Sequence, residues 1–423
     1  MKKVMLPTAI CLAVSTGSVQ AENDITVWAW GSAAPALQAT VDGFNAQHSD
    51  IKVTIEQNGY SDVKSRVLAA CAAGGAGLPD IFQFQNVEME LITAQFPDCA
   101  ADLVPLGFDQ SAQSAFPDFK LFAQKQGDRV LGMPWDSGPV MMFYRRDFYE
   151  NAGVSLEDIE TWDDFIEAGK KVQAANDGVT MINDNLNGGA EFFRMIAEEQ
   201  GCGYFSADGN QITMAQPGCV AALEVIGKLN EAGLVTAANF NEKLQNNAAG
   251  VVATQMSGAW MEGPIRNNAP EDQAGKWGIY EMPSVVDGGA RAANFGGSLL
   301  AVAGNSDQKE AAYAFLSYAL GSVEGQVTML KDQGLVPSLT TALNDPFVSE
   351  PSAFWGDQAI WTTVLGRLER IQPINGTEFF SDADQVMIAT QTAFLNGEFE
   401  SAQAALDDAA KQVSFATGLA VAE

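Results

Sequence analysis

Residues able to bind a metal, attack a bond or move a proton are few in this sequence, and they are poorly spaced for those tasks. The single histidine, His48, lies in a polar turn between an apolar-periodic helix and a strand, where a solvated or capping ring is expected rather than a catalytic base. Asn183-Asp184-Asn185-Leu186-Asn187-Gly188 begins as a calcium loop does. Arg194 stands where the closing bidentate glutamate belongs, so the segment reads as a polar turn. There is no Gly-x-Ser-x-Gly elbow, no phosphate loop and no Gly-x-Gly-x-x-Gly turn, which removes the hydrolase and nucleotide chemistries those motifs serve. Carboxylate pairs for glycoside hydrolysis are uninformative among 53 acidic residues. No catalytic residue, cofactor or metal is expected.

Cysteine has a different role. Cys71, Cys99, Cys202 and Cys219 follow a leader-like N-terminus, and an even count in an exported chain points to two disulfides. Four cysteines allow three pairings, and the local ones are expected: Cys71 with Cys99, and Cys202 with Cys219 around a hairpin turn at Ser206-Ala207-Asp208-Gly209-Asn210. Zinc is a poor rival, since no Cys-x-x-Cys occurs.

The leader is residues 1–21: Lys2 and Lys3, an apolar run from Val4 to Val14, then Val19-Gln20-Ala21, with cleavage before Glu22. Cys11 lies inside the apolar run, so lipid anchoring is not expected. No later apolar run is long enough to span a bilayer. With 23 basic residues against 53 acidic ones, the chain repels nucleic acid and anionic membranes, and neither is expected as a partner. A mature chain of roughly 400 residues exceeds what one core serves, so two or more lobes are required.

The elements that must position any site begin with Ile25-Thr26-Val27-Trp28-Ala29-Trp30. This alternating strand puts Ile25, Val27 and Ala29 on one face and the tryptophans on the other. Ala36, Leu37, Thr40, Val41 and Phe44 follow at helical spacing, then the strand Ile51 to Ile55. Ser61 and Asp62 are expected to cap a helix with the stripe Val63, Val67, Leu68 and Cys71, and a third strand is expected over Pro79 to Gln85. This alternation predicts right-handed crossovers and a mostly parallel sheet, with ligand beyond the carboxyl ends of the strands, at Trp30-Gly31-Ser32 and Gln83 to Glu88. Thr161 and Asp164 form a capping box ahead of Phe165, Ile166, Gly169 and Val172. Two further helical stripes run from Ala311 to Leu320 and from Ala402 to Val413.

The stretch Gly132 to Tyr149 organises the rest. Pro134, Gly138 and Pro139 rule out a helix or central strand, so the first half is an irregular crossing that presents Trp135, Asp136 and Ser137. Val140 to Tyr144 then reads as a buried strand. This crossing, the strand ending Tyr144-Arg145-Arg146-Asp147, and Thr161-Trp162-Asp163-Asp164-Phe165 together resemble the extracellular solute-binding proteins of carbohydrate transporters, the maltose-binding-protein-like cluster. Leu78-Pro79-Asp80-Ile81, Ser257-Gly258-Ala259-Trp260, Phe295-Gly296-Gly297-Ser298 and Gly334-Leu335-Val336-Pro337 extend the likeness in order along the chain. Within that family, Thr161 to Phe165 and Asn375-Gly376-Thr377 resemble the lactose and arabinose-oligosaccharide type.

The resemblance implies an α/β two-lobe periplasmic binding protein fold of type II, each lobe a mostly parallel sheet flanked by helices, with several hinge crossings. Carried onto this chain, one lobe takes residues 22–134 and 296–336, and the other takes 136–294 and 338–423. The implied function is capture of a mono- or oligosaccharide by a periplasmic monomer that serves the permease subunits of an ATP-driven importer. A sugar site needs flat rings for C–H faces and amides or carboxylates for hydroxyls. The expected platforms are Trp30, Trp260, Phe295 and Trp355, with Trp361 a further candidate. Gly258 leaves room beside Trp260, where the family has a ligand-stacking tryptophan. Ser32, Gln85, Asn86, Glu88, Asp136 and Asn185 are expected to hydrogen-bond, and Gly296 and Gly297 to let backbone approach the ligand. A secreted glycoside hydrolase, a polyamine-binding protein of the same fold and a sugar sensor are the alternatives.

Overall fold

The computed structural model describes residues 23–371 and 376–422. The expected leader and Asn375 lie outside the described residues. Alternation in Asn23–Trp30 is realised as two buried faces: Ile25, Val27 and Ala29 pack with Phe44 and Phe315, while Trp28 packs with Val63, Val67 and Phe82 on the other side. Arg66 covers the Trp28 ring, its guanidinium carbon 3.5 Å from the centroid. The strand is thus the middle layer of a helix–sheet–helix sandwich.

Its sheet runs Ile51–Asn58, Asn23–Trp30, Ile81–Gln85, Ser298–Val302, Met133–Pro134. A second five-stranded sheet runs Val235–Thr236, Thr180–Asn183, Val252–Gly258, Val140–Arg145, Trp277–Glu281. In each, one strand opposes its neighbours: Ser298–Val302 in the first and Val140–Arg145 in the second. Both reversed strands directly follow a passage from the other sheet. They start at the junction and run away from it, whereas the remaining strands end towards it. The mostly parallel expectation therefore holds, with one reversed strand per sheet.

Two bodies of core follow. The first sheet is enclosed by Ala33–Gln47, Tyr60–Ala72 and Lys309–Ala319. The second is enclosed by Trp162–Ala175, Glu191–Glu199, Pro217–Glu231 and Ala402–Thr417. The Thr161–Asp164 capping box forms as expected. The expected cap at Ser61 and Asp62 does not: the helix starts at Tyr60 behind an extended Gly59, and Asp62 sits in the first turn, where its charge favours the helix end. Pro134 is also more ordered than expected. Met133–Pro134 pairs with Leu299 and Leu300 at a sheet edge, where a missing N–H is tolerated.

Both disulfides have the expected partners, with Cα separations of 5.2 Å for Cys71–Cys99 and 5.5 Å for Cys202–Cys219. The second fastens the hairpin closed by Ser206 N–H to Gln211 O onto the first turn of Pro217–Glu231.

Candidate functional site

Three chain segments lie side by side where the two bodies meet. Asp136–Ser137 pairs antiparallel with Val336–Pro337, and Pro139 bridges Asn294. Phe295 N–H donates to Gly138 O at 2.7 Å and Gly138 N–H to Asn294 Oδ1 at 3.0 Å. A Cβ on Gly138 would stand 2.2 Å from Phe295 O, so the close approach of these strands requires glycine there.

Asp136 is buried in this junction, and its Oδ1 accepts from both the backbone N–H and the hydroxyl of Ser298 at 2.8 Å. Ser298 in turn accepts from Gln83 Nε2 at 2.9 Å, and Gln83 Oε1 accepts the Trp30 N–H at 2.9 Å. A buried polar chain thus runs from the junction to the carboxyl end of the first strand. Lys120, also buried, donates to the main-chain oxygen of Asp136, and burial lowers its ammonium to about 8. Asp136 therefore holds the hinge together in this arrangement.

Aromatic rings flank the junction. Trp260 follows the strand Val252–Gly258, and its Nε1–H donates to Phe295 O at 2.8 Å. Its ring lies 6.0 Å from Phe295 and 6.2 Å from Phe240, tilted by 43° and 38°. Gly296 has φ +108°, and a Cβ there would meet the Trp260 indole at 2.8 Å, so this glycine serves the ring and the turn. Gly297 also has positive φ, +89°. Opposite, Trp30 is half-buried and meets Tyr60 edge-on at 5.2 Å.

Polar groups stand beside these rings. Asn86 opens the helix Asn86–Gln95, its N–H reaching Gly297 O at 3.3 Å. Glu88, two residues further, is 3 % exposed; its Oε1 accepts from Tyr60 OH at 2.8 Å and from the Lys64 ammonium. Among the described residues, Asn86 Oδ1 and Glu88 Oε2 are buried with no hydrogen-bond partner, an expensive state that a ligand hydroxyl would relieve. From the second body, Asp384 accepts from Tyr204 OH at 2.6 Å and pairs with Arg194 at 3.6 Å. The bodies touch here: a Cβ on Gly376 would stand 2.1 Å from Val87 O.

The structure thus brings Trp30, Gln85, Asn86, Glu88, Asp136, Trp260, Phe295, Gly296 and Gly297 around one junction, with Ser32 at the start of Ala33–Gln47 just beyond Trp30. Asn185 sits at the carboxyl end of Thr180–Asn183, half-buried. Trp355 is a correction. It is wholly buried between Phe143, Trp277 and Phe354, its Nε1–H donating to Glu262 at 2.9 Å, so no face is free to stack a ligand. Trp361 belongs to the same core. Trp28 packs in the sheet.

Sequence reasoning missed Tyr60, Lys64, Lys120 and Phe240. Tyr60 was within reach, because it follows the carboxyl end of the second strand just as Ser32 and Asn86 follow the first and third. Lys120 carried no such signal.

Among proteins of known role, the chain is 29 % identical over 416 residues to the lactose-binding protein of Rhizobium radiobacter, covering 96 % of each chain. It is 25 % identical over 425 residues to the arabinooligosaccharide-binding protein of Bacillus subtilis (strain 168), covering 98 % of this chain and 97 % of that one. The fold matches that of the ABC transporter associated binding protein from B. animalis subsp. lactis Bl-04, solved with β-1,6-galactobiose. Its TM-score is 0.80 at 24 % identity, over 95 % of this chain and 100 % of the other. The family model for bacterial extracellular solute-binding proteins matches residues 39–355, and with its two-lobe α/β architecture the chain belongs to that family.

Proposed function

We infer that this protein captures a sugar, and specifically an oligosaccharide, between its lobes and delivers it to the permease subunits of an ATP-driven importer. The supporting observation is the pairing of half-buried rings with buried acceptors that lack partners among the described residues: Trp30, Trp260 and Phe295 beside Asn86 Oδ1 and Glu88 Oε2. Rings take the apolar faces of a sugar, and the two oxygens take its hydroxyl protons. Relatives named for lactose and arabinooligosaccharide binding favour the same class. A polyamine is disfavoured, because Lys64 and Arg194 already occupy the acidic groups of the cleft.

In this reading one lobe comprises residues 22–134 and 296–336, the other 136–294 and 338–423, and closure about the three crossings buries the ligand. The ligand shifts the open–closed balance by its differential affinity for the two forms, and no bond is made or broken. Residues 1–21 direct export to the periplasm, where the protein works as a monomer without a lipid anchor.

A melting-temperature screen across lactose, arabino-oligosaccharides, polyamines and amino acids tests this. A ligand at 100 times its dissociation constant adds about 2.7 kcal/mol of stability. Stabilisation by sugars alone, with labelled sugar retained intact, is the expected result. Stabilisation by polyamines, or turnover of the sugar, overturns the reading.

A further inference from the structure

Glu198 is a buried carboxyl to which the sugar reading gives no task. It lies near the end of the helix Glu191–Glu199 and accepts the backbone N–H of Asn294. Asn294 in turn joins two of the crossings: its Oδ1 accepts the Gly138 N–H at 3.0 Å, its Nδ2–H donates to Gly296 O at 2.8 Å, and its backbone bridges Pro139. Glu198 therefore bears on the hinge through one residue that holds both strands of it.

The charged group facing Glu198 is Arg194 on the same helix, and Arg194 is shared with Glu191 and with Asp384 on the helix Phe380–Leu395, 3.6 Å away. From the first body, Tyr60 lies within the field of Arg194, and Lys120 faces Asp136. Pro217–Glu231, packed on the same helix, contributes the apolar Ala222, Leu223, Val225 and Ile226 to the shared core. Burial outweighs the pull of Asn294 and Arg194 and raises Glu198 to about 8. Its neighbour Glu199 is bonded wholly within the second body, to Val285 N–H at 3.1 Å, Gln200 Nε2 at 3.0 Å and the Trp162 indole at 3.4 Å, and faces Arg291. Of the two adjacent carboxyls, one is tied to the crossings and the other is not.

Resting on the sugar reading of the cleft, we propose that Glu198 couples closure of the lobes to proton uptake, so that sugar is held more tightly in acid than in alkali. Separating the bodies admits water beside Asn294, and water favours the ionised carboxyl; closing them returns Glu198 to its neutral form. Protons and sugar then favour the same closed state, and each raises the affinity for the other. The closed form has the higher value, so affinity is greatest in acid, falls as pH rises towards about 8 and is level above it. Glu198 acts through Asn294 and is a positioning residue.

The test is calorimetric titration of the full chain with lactose and with arabino-oligosaccharides from about pH 6 to 9, each in two buffers of different ionisation enthalpy. Wild type should take up a net fraction of a proton on binding and lose affinity by up to about tenfold per pH unit below 8. Glu198→Gln, neutral at every pH, should bind as wild type does in acid, with no slope and no proton uptake. Glu199→Gln should keep both, since the partners of Glu199 stay together whether the lobes are open or closed. A flat wild-type profile, a slope that survives in Glu198→Gln or one that vanishes in Glu199→Gln overturns the coupling and leaves the sugar reading standing. Wild-type protein that binds none of these sugars at any pH overturns both.

Discussion

Lys64 and Ser381 meet across the cleft: the ammonium, which also pairs with Glu88, donates to the Ser381 hydroxyl at 3.1 Å. Lys64 rides on a helix packed against the first sheet, and Ser381 on a helix whose Phe380, Ala383 and Met387 belong to the core of the second. The contact exists only while the two bodies are together, so it adds to closure independently of ligand.

Replacing Lys64 by Met should therefore shift the free protein towards the open form. Bonds to charged groups contribute about 1.5–3 kcal/mol, but the Lys64 side chain is 24 % exposed and solvent takes part of that. The expected result is an affinity loss of up to about tenfold, with a larger radius of gyration for the unliganded protein in X-ray scattering. An unchanged radius would separate Lys64 from closure.

Two tryptophans should divide stability from binding. Trp355→Ala opens a cavity in the Phe143–Trp277–Phe354 cluster and leaves Glu262 without its indole donor, for a cost of about 3–5 kcal/mol in urea denaturation. Trp260→Ala should abolish the sugar-induced rise in melting temperature and cost the unliganded protein far less. Equal destabilisation by both would place Trp260 in the core.

Mild acidification from neutrality should stabilise the protein rather than unfold it. Burial pushes the Glu198 carboxyl up to about 8, against the opposing pull of the Asn294 N–H and Arg194, and pushes Glu199 up to about 7. Both folded values lie above the ordinary 4.5, so the native state holds protons that the unfolded chain has released. The stabilisation is fully present below about 4.5 and is lost as pH rises through 7 and then 8. Lys120, lowered to about 8 by burial, has the opposite sign and acts only above that window. Melting temperature should fall between pH 5 and 8, roughly the interval those shifts define, and Glu198→Gln should flatten the slope. An unaltered slope in the variant would show that Glu198 does not titrate there.

Removing the Cys202–Cys219 bridge by serine substitution releases a loop with a sequence separation of 17 and should cost about 3 kcal/mol. Cys71–Cys99, with a separation of 28, should cost slightly more. Unfolding with and without reductant measures both, and no change on reduction would show that the bridges do not form in the isolated protein.

The opening strands of the first sheet and the helical stripes, such as Ala36, Leu37, Val41 and Phe44, were legible, whereas Val252–Gly258 and Ser298–Val302, buried along their whole length, show no alternation and were not foreseen. The cysteine pairs were legible from proximity in sequence. The role of Asp136 was not. Its partner Ser298 lies 162 positions away, and no local pattern marks a carboxylate that ties two crossings rather than a ligand. Trp355 and Trp260 are equally aromatic in sequence. Only the packing of Phe143, Trp277 and Phe354 around one of them distinguishes core from cleft.

The reversed strand Ser298–Val302 fills the gap between Ile81–Gln85 and Met133–Pro134, and Gln83 finds its Ser298 partner 215 positions downstream. A growing polypeptide that has not yet reached that strand carries an unfinished first half with a bare edge beside Ile81–Gln85. Completion of the first sheet is thereby postponed until most of the chain has been made, which makes its folding depend on a long-range contact rather than on local ones.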